Sequence, residues 1–189
     1  MQLENIDFHE TFITEGEPFY NDINSIDKFH FNKWVTENFV KLTTITRFKE
    51  VIPKKKEVKS LITKGYIHKP SQCHYSAKAI NLIDESFEYW TGFIIRKCWV
   101  YPIVTHSFSI KENSIVDFAR IDENFEELKA KIDSFPHVYY GIKIPNDFVK
   151  KYQVETFENF SMNPLLYDWF IEQHKLTPIP LNHENYTNL

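Results

Sequence analysis

A cysteine, a histidine and an aspartate follow one another as Cys73, His106 and Asp117. They lie in Ser71-Gln72-Cys73-His74-Tyr75, Thr105-His106-Ser107-Phe108 and Ile115-Val116-Asp117-Phe118. A thiol attacks only as its thiolate, an imidazole can take the proton, and a carboxylate can fix the imidazole's tautomer and direction. Together the three side-chain types support acyl transfer at a carbonyl carbon. Each alone has a plainer use: a free cysteine as a small buried residue, a histidine as a structural ring, an aspartate as a strand-end or turn residue.

The elements that must bring them together are legible in the periodicity. Pro70-Ser71 reads as a turn with Ser71 as N-cap, and Tyr75, Ala79, Leu82 and Ile83 make an apolar helical stripe after it. Cys73 is thereby expected in the first turn of a buried helix. There the helix macrodipole and unpaired N–H groups favour a thiolate. Those N–H groups, that of Cys73 among them, can also hold an oxyanion, with the Gln72 side chain as a second candidate donor.

Phe87 to Ile95 and Cys98 to Ile110 are rich in aromatic and β-branched residues, with Arg96-Lys97 as a tight connection. Lys111 to Ser114 is a polar turn, and Ser114 to Arg120 a further strand. If that turn pairs Ile110 with Ile115, Phe108 faces Asp117 and His106 faces Ala119. His106 and Asp117 then project from one face as diagonal neighbours, about 5–8 Å apart at Cβ. A slip of one residue would separate them. That face is largely apolar, so each polar group is costly alone and tolerable with the other.

Around this core, a helix is expected from about Asp27 to Phe48. A second, basic helix opens at Pro53 with Val58, Leu61 and Ile62 inward and closes at Gly65. Further on come a helix over Asp122 to Asp133, a strand over His137 to Ile144, and a helix after Asn163-Pro164 through His174. The pattern defines an α+β chain of one domain: a helical N-terminal region over residues 1–69, a core over 70–145, and a C-terminal helix and tail over 146–189.

From this order the chain resembles the transglutaminase-like branch of the papain-like cysteine-enzyme fold. In that family a Cys starts a core helix, a His follows in a strand and an Asp in the next. The resemblance covers about Pro70 to Pro145. It implies Cys73 as nucleophile, His106 as base and Asp117 as orienting acid. It also implies amide or thioester chemistry: peptide hydrolysis, deamidation, amide cleavage or cross-linking. The flanking residues depart from the family, with Ser107-Phe108 after the His and Phe118-Ala119 after the Asp.

Composition bounds the remainder. With 189 residues, 42% hydrophobic and 16% aromatic, the chain can build a core. Only four Gly stand against 17 Phe and ten Tyr, alongside abundant Lys, Asn and Ile, which suits an AT-rich genome and the look of small phage or bacterial proteins. Two cysteines make no disulfide framework, no apolar run is long enough for a bilayer, and the opening Met1-Gln2-Leu3-Glu4 carries no signal core. A reducing, cytoplasmic setting is therefore expected.

The net charge of −4 hides an asymmetry. Residues 41–69 hold nine basic residues against Glu50 and Glu57, a net of +7 that leaves −11 elsewhere. Such a stretch is usually a solvated face, and it can also steer an anionic ligand. Overall acidity argues against a dedicated nucleic-acid binder. Trp99 and Tyr140, within an aromatic set, are candidate substrate-lining residues, and Gly141 allows close backbone approach beside them. His137 is a candidate second imidazole near the site. No cofactor is expected. Zinc is disfavoured because Cys73, His74, Cys98, His106 and His68 lack the short spacing of structural sites. A protein or peptide substrate is the expected partner. The alternative is a binding or inhibitory protein that keeps the fold without turnover.

Overall fold

In the computed structural model, residues 31, 33–35, 37–45, 50–69, 72–96, 103–120, 137–151 and 164–174 are described. Their strands are β1 (Val40–Ile45), β2 (Glu88–Arg96), β3 (Ile103–Lys111), β4 (Ser114–Val116) and β5 (His137–Lys143). They form one antiparallel sheet in the order β1-β5-β2-β3-β4. The helices are α1 (Lys55–Thr63), α2 (Cys73–Ile83), α3 (Asn146–Lys151) and α4 (Leu166–His174). Described residues between 31 and 38 are helical as well. The architecture is α+β. Among the described residues no helix is long and apolar enough to cross a membrane.

The sheet is buried on both faces. On one, Ile94, Phe108, Ile110 and Tyr139 pack with Val51. On the other, Phe93, Ile95 and Val138 pack with Phe31, Trp34 and Val35 and with Leu166 and Phe170 of α4. Helix α2 joins two further clusters. Tyr75, Ala79 and Ile80 pack against Phe87, Val116 and Phe118, whereas Ala77 packs against Tyr89, Phe148 and Leu165. A helix with Ser76, Ala77 and Ala79 along it carries little side-chain bulk between its axis and its neighbours.

Several expectations are corrected. The helix read from Asp27 to Phe48 ends by Asn38, and Val40–Ile45 is a strand paired with β5. Val40, Thr43, Thr44 and Ile45 are β-branched and stiff at χ1, so edge pairing outweighs a helical spacing carried there by Leu42 alone. The stretch 1–69 is thus not purely helical. In α1 Leu61 is buried and Val58 partly so, whereas Ile62 is 52% exposed and does not face inward. Gly65, with φ +100, does close that helix.

The N-cap of α2 is Gln72, without a side-chain cap bond; Ser71 lies outside the described residues. Strand β2 runs through Arg96 and pairs Ile95 with Ile103, so Arg96-Lys97 is not a two-residue turn. Helix α4 begins at Leu166, two residues beyond Pro164. The helix expected over Asp122 to Asp133 lies outside the described residues.

One buried side chain fixes where α2 ends. Asn81 Nδ2 donates to the Phe87 carbonyl at 2.8 Å and to Asn146 Oδ1 at 3.0 Å, tying α2 to the entry of β2 and to α3. Asn81→Ala leaves the Phe87 carbonyl buried without this donor, at an expected cost of about 1–3 kcal/mol. A lower midpoint with an unchanged slope in denaturant unfolding is the expected result; an unchanged midpoint would refute it.

Candidate active site

The hairpin of β3 and β4 has the expected register, Ile110 against Ile115, closed by Glu112 and Asn113 at φ 50 and 61. The strand pairing then stops at Val116 opposite Ser109. Phe108 and Asp117 do not pair. Instead the Asp117 N–H donates to the Val51 carbonyl at 2.7 Å, and Phe118–Arg120 is a 3-10 turn rather than more strand. Leaving the sheet does not cost the contact: His106 Nε2–H donates to Asp117 Oδ2 at 2.7 Å.

This carboxylate is fully buried, with His106 5% exposed. It also accepts the Tyr139 hydroxyl on Oδ2 at 2.8 Å and the Ala119 N–H on Oδ1 at 3.1 Å. Phe108 stacks on the His106 ring and meets Tyr139 edge-on, with centroids 6.3 and 5.1 Å away, so the pair sits between apolar walls. With Nε2 committed to Asp117, Nδ1 is the ring nitrogen left for the thiol.

Cys73 reaches that ring because β4 is short. It covers β3 only at residues 109–111, and at 106–107 that edge of β3 has no strand beside it among the described residues. There the first turn of α2 meets it. Successive residues of α2 engage successive residues of β3: Cys73 hydrogen-bonds His106, and His74 Nδ1 bonds Ser107 Oγ at 2.7 Å. His106 and Ser107 point to opposite faces, so the end of α2 straddles the strand edge.

The electrostatics follow from that placement. Burial pushes the Cys73 thiol up, but the charges of His106 and His74 and hydrogen bonds to both rings outweigh it and hold the thiol well below its ordinary range. Burial alone would lower His106; the Asp117 carboxylate and the Cys73 sulfur beside it instead raise it to about 9. Both shifts run in the direction that favours a thiolate beside an imidazolium.

At the head of α2 the first intrahelical bond runs from the Ser76 N–H to the Gln72 carbonyl, 2.9 Å. The Cys73 and His74 N–H groups precede it, in the first turn, where an N–H has no intrahelical acceptor. Gln72 stands directly before the thiol, with its Oε1 buried and unpartnered. That atom is an acceptor, so the half of the group able to serve an oxyanion is its Nε2 amide.

Tyr140 lies on the face of β5 opposite Tyr139 and packs against the cluster of Phe93 and Phe170. It does not share the surface that carries His106. Gly141 permits close backbone approach, but to β2: a Cβ there would meet the Thr91 carbonyl oxygen at 2.9 Å. Trp99 and Cys98 lie outside the described residues. His137 pairs through its backbone with Arg96 and Ile45; the second imidazole at the sulfur is His74. Its only sequence signal is adjacency to Cys73, which on a helix suggests divergence. Among the described residues no group of three His, Cys, Asp or Glu side chains is arranged to hold a metal ion.

No protein-family model, curated protein or solved structure matches this chain.

Proposed function

We propose that this chain is a cysteine-dependent hydrolase or acyl transferase acting on an amide or related carbonyl, with a papain- or transglutaminase-like arrangement of its core. The observation that carries this reading is the buried His106–Asp117 bond on one ring nitrogen, with Cys73 hydrogen-bonded to the same imidazole. The Cys73 thiolate attacks the carbonyl carbon, and the oxyanion forms beside the Cys73 and His74 N–H groups. As the tetrahedral intermediate collapses, the His106 Nδ1 proton passes to the departing amine and the C–N bond breaks. His106, now neutral, takes a proton from water or an incoming amine, which attacks the thioester and frees the sulfur.

A protein or peptide is the substrate this chemistry fits best. Lys54, Lys55, Lys56 and Lys59 are exposed on and before α1 and can steer an anionic ligand. The cytoplasm, where thiols stay reduced, is the compartment in which such a site would work.

Iodoacetamide labelling at near-neutral pH, read by peptide mass spectrometry, tests the reading. Cys73 is expected to alkylate at least roughly tenfold faster than Cys98, with His106→Ala slowing it. Equal, slow labelling of both thiols would overturn it in favour of a binding or inhibitory protein without turnover.

A further inference from the structure

The thiol has two imidazoles, and the function proposed above uses only one. His74 is held by a buried hydroxyl network whose donors and acceptors can be assigned in sequence. Ser107 Oγ–H donates to Thr91 Oγ1 at 3.0 Å, which consumes the single serine proton. Tyr89 Oη lies 3.1 Å from Ser107 Oγ and itself receives the Leu165 N–H at 3.2 Å. With the serine proton spent, Tyr89 must be the donor. Burial pushes its hydroxyl up to about 12, so it keeps that proton. A serine oxygen that donates once and accepts from Tyr89 has one lone pair left. His74 Nδ1, 2.7 Å away, can satisfy it only as Nδ1–H. Neutral His74 therefore carries its lone pair on Nε2, while its ring hydrogen-bonds Cys73.

We infer that His74 is a second catalytic imidazole, locked by Ser107 in its Nδ1–H tautomer, so that Nε2 offers the Cys73 thiol a proton acceptor alternative to His106. The inference rests on the thiol chemistry proposed above. Where His106 does not take it, as in His106→Ala, the S–H proton moves to Nε2, leaving a thiolate beside an imidazolium whose Nδ1–H still points at Ser107. Among the described residues, the other ionisable groups that act on Cys73 are His106 on β3, with Asp117 behind it, Tyr89 on β2, and Lys78 one turn further along α2. Lys78 is buried and lowered to about 8, with Asp168 of α4 and Cys73 partly restoring its charge. None of them bonds His74 Nδ1 in place of Ser107.

Two measurements decide it. In long-range ¹H–¹⁵N spectra of histidine-labelled protein, assigned by loss of a signal in His74→Gln, His74 is expected as Nδ1–H when neutral. The ordinary Nε2–H tautomer would overturn the inference, and the tautomer itself is read in the wild-type protein. Alkylation then reads the consequence. His106→Ala should retain a Cys73 rate at least roughly tenfold above that of His106→Ala/His74→Gln. Equal rates in the two, with both folded by circular dichroism, would remove the role of His74 while leaving the enzyme reading intact. A slow wild-type thiol would instead sink the enzyme reading itself.

Discussion

Asp117→Asn is expected to lower turnover, and the alkylation rate of Cys73 at neutral pH, by about 10²–10⁴-fold. The reason lies in the number of donors that converge on this carboxylate. Oδ2 receives His106 Nε2–H and the Tyr139 hydroxyl, and Oδ1 receives the Ala119 N–H. An amide has one oxygen for these two positions. Turned toward His106 and Tyr139, it presses its NH₂ against the Ala119 N–H. Turned the other way, it donates to His106 Nε2, which forces the proton onto Nδ1 and leaves that nitrogen unable to accept one from Cys73. Either orientation also buries a mismatched polar pair, an added cost of about 1–3 kcal/mol in stability.

The pH profile separates this effect from simple damage. Asp117 helps hold His106 at about 9 against the opposing effect of burial. In the wild type the imidazolium that protonates the leaving amine is therefore lost only as pH rises through about 9, and turnover should fall there. Without the carboxylate's charge this alkaline limb moves to lower pH, and the thiol becomes harder to ionise because the positive charge beside it is gone. A rate loss with both limbs unmoved would argue that Asp117 acts on folding alone and would defeat the orienting role given to it.

How far the site is legible in the sequence depends on whether local pattern or long-range contact decides each feature. The register Ile110 to Ile115 can be read because a polar turn between alternating strands leaves few pairings. That register alone predicts that His106 and Asp117 meet. The route they take is not legible: β4 ends at Val116, and the Asp117 amide turns to Val51, more than 60 residues earlier in the chain. Helical spacing places Cys73 in the first turn of α2 for a reason internal to the segment. It cannot show His74 reaching the same sulfur, because two neighbours on a helix diverge unless something fits between them. The uncovered edge of β3 is that something, and it exists only because β4 is three residues long. Strand β1 escapes local pattern for a related reason: Val40–Ile45 is a strand by virtue of β5, a partner about a hundred residues away. Tyr140 shows the converse, since its face follows from the parity of Tyr139, which nothing local reveals.

Gly92→Ala is expected to destabilise the fold by about 3 kcal/mol or more, lowering Tm by roughly 6–12 °C for a chain of this size. Gly92 stands opposite Gly141 on one side and His106 on the other. A Cβ at 92 would run into the Tyr140 carbonyl oxygen, lie 2.6 Å from the Gly141 Cα and 2.9 Å from Phe39 Cε2. Two of these neighbours are backbone, which cannot swing aside as a rotamer can, so β2 and β5 must separate. The damage should not stay local. His106 is on β3 and Tyr139 on β5, with β2 between them, and both hold the same Asp117 oxygen. Parting β2 from β5 draws Tyr139 away from a carboxylate that β3 still holds. The variant should thus lose Cys73 reactivity at temperatures where it remains folded, a coupling readable by comparing alkylation rates with the unfolding curve. Asn81→Ala, destabilised at a distance from the sulfur, serves as the control that should lose stability without losing reactivity. An Ala at 92 with wild-type Tm would show that the two strands are not packed as closely as their backbones imply.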